Sequence, residues 1–448
     1  MVRPAPRLPG VRPYAPRAHA CARILPFLIG LVIAITGGSR PGAERQADDR
    51  PFSGSPEHPA ISYASTATTD VVARLNLKLA SATTRLSRDG ASGYLLTALQ
   101  ALRIPVDSQV MVFSKTGLQG ALTSPTNPRA LFFNDTVVLG YVRGAPVLEL
   151  IAHDPRQGAI FYTLDQTSPD APVFKRRDTC LSCHLSRNSL DVPGMLVRSQ
   201  FTAPTGNSLR QLGQYVIDHR SPLDQRWGGY YVTGTHGTMR HMGNTMVDTD
   251  GRPASTATTQ NLTSLDGRLD ATAYPSPYSD IVSLLVFDHQ MRMMNLLTRV
   301  GWEARVAIHE NRPDMTQGPV HDAVTDLVDY LLFVDEAPLA GPFHGVSGFA
   351  TRFNAQGPHD RKNRSLYQLD LTRRLLRYSC SYMIYAEAFD SLLPEVKATI
   401  YQRMWRILSG QDRDTRYLRL SFTDRRNIVE ILRGTKAGLP PYFRNVSR

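Results

Sequence analysis

Cys180, Cys183 and His184 stand in the run Thr179-Cys180-Leu181-Ser182-Cys183-His184, which reads C-x-x-C-H. That spacing is the attachment signature of a c-type haem. Two thiols can add across the two vinyl groups of the porphyrin, and the adjoining imidazole can then take the iron as proximal ligand. Two rival chemistries fit less well. A structural zinc site needs four ligands, and no second C-x-x-C or paired His completes one here. A thioredoxin-like dithiol belongs in a β-α-β setting, whereas this pair follows the polar run Lys175-Arg176-Arg177-Asp178. The residues therefore point to one covalent haem c per chain, bound by Cys180, Cys183 and His184.

The sixth position of such an iron decides between carrying electrons and binding small molecules. The run Gly234-Thr235-His236-Gly237-Thr238-Met239-Arg240-His241-Met242-Gly243-Asn244 packs two His and two Met into a glycine-rich loop. Glycine lets such a loop approach a flat macrocycle closely. His236 or His241 leads as distal ligand, ahead of Met239 or Met242. His289 shares a helical face with Leu285, Met293 and Leu296, where a hydrogen-bonded core histidine is the plainer expectation. Met195 follows His184 closely in the chain, Met291 reads as core filling, and an open iron position completes the alternatives. His153-Asp154 is expected to be an exposed turn pair. Tyr230-Tyr231 could line the haem edge or simply belong to the core.

A chain of 448 residues with 42% hydrophobic and 20% charged residues is an ordinary globular protein with room for two or three domains. The formal charge of +12 is concentrated at one end. Residues 1–40 hold six Arg and no acid, so the remainder has 45 basic against 39 acidic residues, a net +6. No basic stripe with interleaved aromatics stands out, so nucleic acid is not expected as a partner. An Arg-rich head followed by the twelve-residue apolar run 24–35 and small residues reads as a secretory signal peptide. The run is short for a membrane span, which needs about 20 residues. Contact with the membrane is expected only if this signal stays uncleaved. Export to the periplasm or cell envelope is what haem c attachment requires in bacteria, so the two readings support each other. Cys21 lies in the expected signal peptide, so the mature chain keeps Cys380 as a single spare thiol between apolar segments, most simply a small buried hydrophobe.

The elements that must position the motif are legible as a change of period. Residues 41–65 lack periodicity and read as a linker. Helices are expected from Thr66 through Leu79 and over Tyr94–Leu102. Five short runs then follow, Gln109–Phe113, Ala130–Phe133, Val137–Val142, Val147–Ala152 and Ala159–Leu164, rich in β-branched and aromatic residues and divided by turn chemistry. This is a β-meander that delivers the chain to the haem motif. Further strands are expected at Met195–Thr202, Gly213–Asp218 and Gly229–Thr233, and a surface loop at 250–278. Ser279 or Asp280 can cap the longest helix, which runs to about Ile308. Helices are also expected over Val320–Phe333, Ser365–Arg377, Tyr382–Leu392, Pro394–Leu408 and Thr423–Arg433. The fold class is α+β: a strand-rich haem-bearing lobe over 66–275 packed on a helical lobe over 276–448.

At C-x-x-C-H the chain resembles the c-type cytochromes. More widely it resembles a family of exported bacterial monohaem c-type cytochrome proteins for which no reaction is established. The blocks that carry the resemblance are Ser124-Pro125-Thr126-Asn127-Pro128-Arg129-Ala130, Tyr231-Val232-Thr233-Gly234-Thr235-His236-Gly237 and Arg377-Tyr378-Ser379-Cys380-Ser381-Tyr382-Met383-Ile384-Tyr385. The resemblance implies haem binding and a cell-envelope location. The chain departs from a small class-I cytochrome in its length, in the strands before the motif and in lacking one obvious distal Met. Two functions follow as expectations. One is single-electron transfer to a redox partner protein, which the moderate positive charge could steer if that partner is acidic. The other is a haem-dependent oxidoreductase acting on peroxide or another small molecule at an open iron site. A gas-sensing protein ranks third.

Overall fold

Asp70 opens the regular structure, its carboxylate accepting the Val72 and Ala73 amides that the first helical turn cannot satisfy. The computed structural model describes residue 1, residues 49–167 and residues 172–443; the apolar run 24–35 lies outside the described residues. Helices α1 (Val71–Ala80) and α2 (Leu95–Ala101) come first. Six strands follow: β1 (Val110–Val112), β2 (Arg129–Phe133), β3 (Val137–Tyr141), β4 (Val147–Asp154), β5 (Gly158–Asp165) and β6 (Phe174–Arg176). They pair antiparallel in strict chain order, so the meander is real and gains a sixth strand. The β4–β5 hairpin turns at Gly158, whose φ of +82° suits glycine and whose missing Cβ leaves room for Thr298.

The pleat gives this sheet two unlike faces. Ala130, Phe132, Leu139, Leu148, Leu150, Ile160 and Leu164 project to one side and are all buried. On the other side Leu131, Gly140, Glu149 and Thr163 stand opposite one another across four strands. Beyond the motif lie α3 (Leu181–His184), the short pair β7 (Arg198–Gln200) and β8 (Gln214–Val216), and the 29-residue α4 (Ile281–His309). Helices α5 (Gly318–Leu331), α6 (Phe349–Asn354), α7 (Glu387–Asp390), α8 (Pro394–Leu408) and α9 (Phe422–Thr435) complete a helical C-terminal region. The architecture is α+β, an antiparallel sheet followed by helices.

Helix α4 is the axis of the molecule. Asp280 caps it with one carboxylate oxygen on the Val282 and Ser283 amides, and the other oxygen takes the Val346 and Ser347 amides and the Ser347 hydroxyl, each at 2.8 Å. The helix crosses one end of the mixed sheet face. Phe287 meets Phe133 at 5.0 Å between ring centroids, and Thr298 Oγ1 lies 3.0 Å from His153 Nε2. His153 and Asp154 are thereby buried, not an exposed turn pair, because a helix from far along the chain covers their hairpin.

Other expectations change for physical reasons. One continuous core runs from Phe52 to Phe443 and draws on both expected lobes. The supposed linker is packed over its described part. Phe52, Ile61 and Tyr63 are buried, and Asp49 pairs with Arg220 and Arg292. Ser365–Arg377 is not a helix: the Asp370 carboxylate accepts the Thr372 and Arg373 amides and turns the chain back on itself. Gly229–Thr233 is not a strand, since Trp227 and Gly229 both adopt positive φ and only single bridges form beyond them. Among the described residues no helix is long and apolar enough to cross a membrane.

Candidate functional site

Strand β6 carries the chain off the sheet, and the Arg177 amide still bonds to the Phe161 carbonyl before a tight turn leads into α3. Cys180, Cys183 and His184 occupy positions i, i+3 and i+4 of this turn, the spacing that places side chains on one helical face. All three line a cavity of about 390 Å³, within the usual range for small-molecule and cofactor sites. Cys180 is half-buried and Cys183 exposed, and both are free thiols.

His184 is held by its backbone neighbours. Its Nδ1 lies 2.9 Å from the Gly194 carbonyl oxygen, and the Gly194 amide returns a 2.9 Å bond to the His184 carbonyl. A carbonyl can only accept, so Nδ1 carries the proton and Nε2 keeps its lone pair. Burial is the main cause that lowers the imidazole pKa; the Gly194 bond opposes it, and the charges of Arg129 and Arg198 add to the lowering. The ring is thus kept neutral, the form that binds a metal. Phe161 packs against it with centroids 4.9 Å apart.

The sheet supplies the opposite wall. Arg129 and Leu131 of β2, Gly140 of β3, Glu149 and Ile151 of β4, and Thr163 of β5 line the cavity. Leu131 and Ile151 are only partly covered there, apolar surface that a flat apolar ligand would remove from water. Phe287 and Met291, one turn apart on α4, close one end, and Met195, Arg198 and Tyr230 also border the space. Glu149 is fully engaged. One oxygen lies 3.3 Å from Arg129 Nη1, and the other accepts the Gln119 amide at 3.2 Å and Nε2 at 3.0 Å. Burial first and the Glu149 charge second raise the Cys180 thiol pKa.

Two thiols and a neutral imidazole on one face, looking across a partly uncovered apolar sheet, fit a covalently held porphyrin. The glycine-rich loop does not join them. His236 and His241 are buried together with ring centroids 4.8 Å apart, beside Trp227 and Phe343, and neither lines the cavity. Their loop is tied to a neighbouring segment by the pairs His236–Asn261 and His241–Gln260. The sulfur of Met239 accepts the Ala340 amide, and that of Met242 the Ser199 hydroxyl. His289 faces away from the cavity, bonded to His219 Nδ1 and Ser381 Oγ, each at 2.7 Å. Of the other side chains weighed as ligands, the structure brings Met195 to the cavity wall, and it also places there Met291, which was expected to be core filling.

Tyr230 lines the cavity, whereas Tyr231 turns away to bond the Pro125 carbonyl. Arg129, Glu149 and Arg198 escaped the sequence reading. A charge set in an apolar strand, as in Arg129-Ala130-Leu131-Phe132-Phe133 or Val147-Leu148-Glu149-Leu150-Ile151, was the available signal. Among the described residues no three His, Cys, Asp or Glu side chains gather as a metal-binding set. Comparison with known protein families, with characterised proteins and with solved structures finds no match in any of the three.

Proposed function

We propose that this protein is an exported monohaem c-type cytochrome of the bacterial cell envelope that passes single electrons to a redox partner protein. The observation that carries the reading is the convergence of Cys180, Cys183 and His184 on one cavity, with His184 Nδ1 bonded to the Gly194 carbonyl. Cys180 and Cys183 would hold the porphyrin and His184 its iron. When bound, haem c supplies a one-electron iron couple. The chain's own residues keep the proximal imidazole neutral, exclude water with Phe161, Phe287 and the sheet, and offer the Met195 and Met291 thioethers at the wall. The Arg-rich head and apolar run of the first forty residues support export.

The test is expression in a host with a cytochrome c maturation system. The expected product is coloured, heavier than the bare mature polypeptide by one haem, and low-spin with a spectrum indifferent to carbon monoxide. A colourless product with the mass of the bare chain would end the proposal.

One observation favours a second reading, a haem-dependent oxidoreductase acting on peroxide or another small molecule. Arg129, Glu149, Arg198 and Tyr230 border the same cavity, more polar chemistry than an electron shuttle needs. That reading expects a high-spin ferric spectrum that shifts on adding cyanide or peroxide.

A further inference from the structure

The charges around the cavity do not balance. Its lining carries three charged side chains, Arg129, Glu149 and Arg198. Arg129 and Glu149 cancel each other at 3.3 Å, and Gln119 saturates the remaining carboxylate oxygen. Arg129 is also fixed in place: its guanidinium lies against Gly117 so closely that a Cβ there would fall 2.1 Å from Nη1. Arg198 is different. Among the described residues its side chain has no hydrogen bond and no carboxylate at ion-pair distance, although it is half-buried and its backbone is held opposite Val216 in the β7–β8 ladder.

A half-buried guanidinium bordering a cavity that Ile151, Phe161 and Phe287 also line loses part of its hydration, and an anion is what restores its electrostatic balance. Its planar fork matches the two oxygens of a carboxylate or a similar small oxyanion. We infer that Arg198, with Arg129 bordering the same cavity, is the seat of a carboxylate-type anion inside it. Two sources have that chemistry: the propionates of a bound porphyrin, or a free small oxyanion brought to the iron as ligand or substrate. This inference rests on the cytochrome reading for its porphyrin arm and stands without it for its free-anion arm.

The experiment uses the full chain from a host without maturation, titrated with hemin and with hemin dimethyl ester, and separately with formate and nitrite by calorimetry. A propionate seat makes the diacid bind at least about tenfold more tightly than the ester. Arg198→Leu then abolishes the difference, Arg198→Lys retains part of it, and formate and nitrite bind no more tightly than to Arg198→Leu. A free-oxyanion seat shows formate or nitrite binding that Arg198→Leu removes, with diacid and ester alike. Glu149→Gln releases Arg129 from its partner, so it strengthens whichever anion binds, opposite in direction to Arg198→Leu. Circular dichroism confirms that each variant is folded. Equal binding of diacid and ester, together with no anion affinity above that of Arg198→Leu, overturns the seat. Matured protein lacking haem mass would sink the cytochrome reading alone, because these titrations need no covalent attachment.

Discussion

The Nδ1 of His184 meets the carbonyl oxygen of Gly194 at 2.9 Å, so the residue that presents the imidazole is oriented by a backbone group ten positions further on. That carbonyl is itself anchored. Asn295 on α4 accepts the Met195 amide and donates to the Met195 carbonyl, both at 2.8 Å.

Gly194→Ala puts this chain of contacts to the test. A Cβ there would lie 2.5 Å from Asn295 Oδ1, so Asn295 must move and release Met195. The expected cost is about 1–3 kcal/mol of stability, the usual range for overpacking. Urea unfolding measures it. Matured variant should also show a perturbed haem spectrum, since the His184 ring loses its fixed partner.

Glu149→Gln should make Cys180 more reactive in the unloaded chain. Burial raises the thiol pKa first and the Glu149 carboxylate adds to it, so removing that charge enlarges the thiolate fraction. In a Cys183→Ser background, alkylation at pH 8 should speed up roughly two- to fivefold. Cys380 will not interfere, because burial pushes its thiol up to about 12. An unchanged rate would mean that the carboxylate does not act on the Cys180 thiol.

Two buried groups, Asp288 on α4 and His153 packed against it, pull stability in opposite directions with pH. Burial raises Asp288 to about 7, although Arg226 and the Trp227 indole oppose the rise. The unfolded chain releases that proton near pH 4, so the native state binds more protons between about pH 4 and 7, and stability falls as pH rises through that window. His153 is lowered to about 4 by burial. There the unfolded chain takes up the proton from about pH 6.5 downward, so stability falls as pH drops from 6.5 to 4. Asp288→Asn should therefore gain on the wild type with rising pH, by roughly 2–4 kcal/mol between pH 4 and 8. His153→Gln should flatten the acid limb by roughly 3 kcal/mol. Denaturant titrations across that pH range read both slopes, and a slope unchanged in either variant would refute its assignment.

Asp280→Ala should be among the more damaging single changes. An ordinary cap is worth about 0.5–2 kcal/mol. This carboxylate also satisfies the Val346 and Ser347 amides, and stranding a buried donor costs about 1–3 kcal/mol. A total near 4 kcal/mol is expected from urea unfolding. Asp280→Asn, which can accept on one side only, should fall between the variant and the wild type.

Much of this was legible in short stretches. The five-strand meander, α1, α2, α4 with its Asp280 cap, and α8 all stand where period and capping chemistry place them. Cys380 is a buried hydrophobe, and His289 is a hydrogen-bonded core histidine. Ser365–Arg377 misled because its apolar spacing is helical while Asp370 offers the backbone a turn. The loop holding His236 and His241 misled differently. Its residue types suit an iron ligand, but where a loop docks depends on distant partners such as Asn261 and Phe343.

By itself the sequence determined that Cys180, Cys183 and His184 stand close together, because so few positions separate them, while the structure adds the helical turn that sets them at i, i+3 and i+4. It determined the first five strands too, through short β-branched and aromatic runs divided by turn residues. Only the tertiary structure decided what those three residues look across at. Arg129, Glu149, Arg198 and Met291 come from four separate elements and Tyr230 from a loop, and they meet because α4 covers one end of a sheet face and leaves the other end open. That meeting is set by packing between segments far apart in the chain, where residue spacing carries no signal.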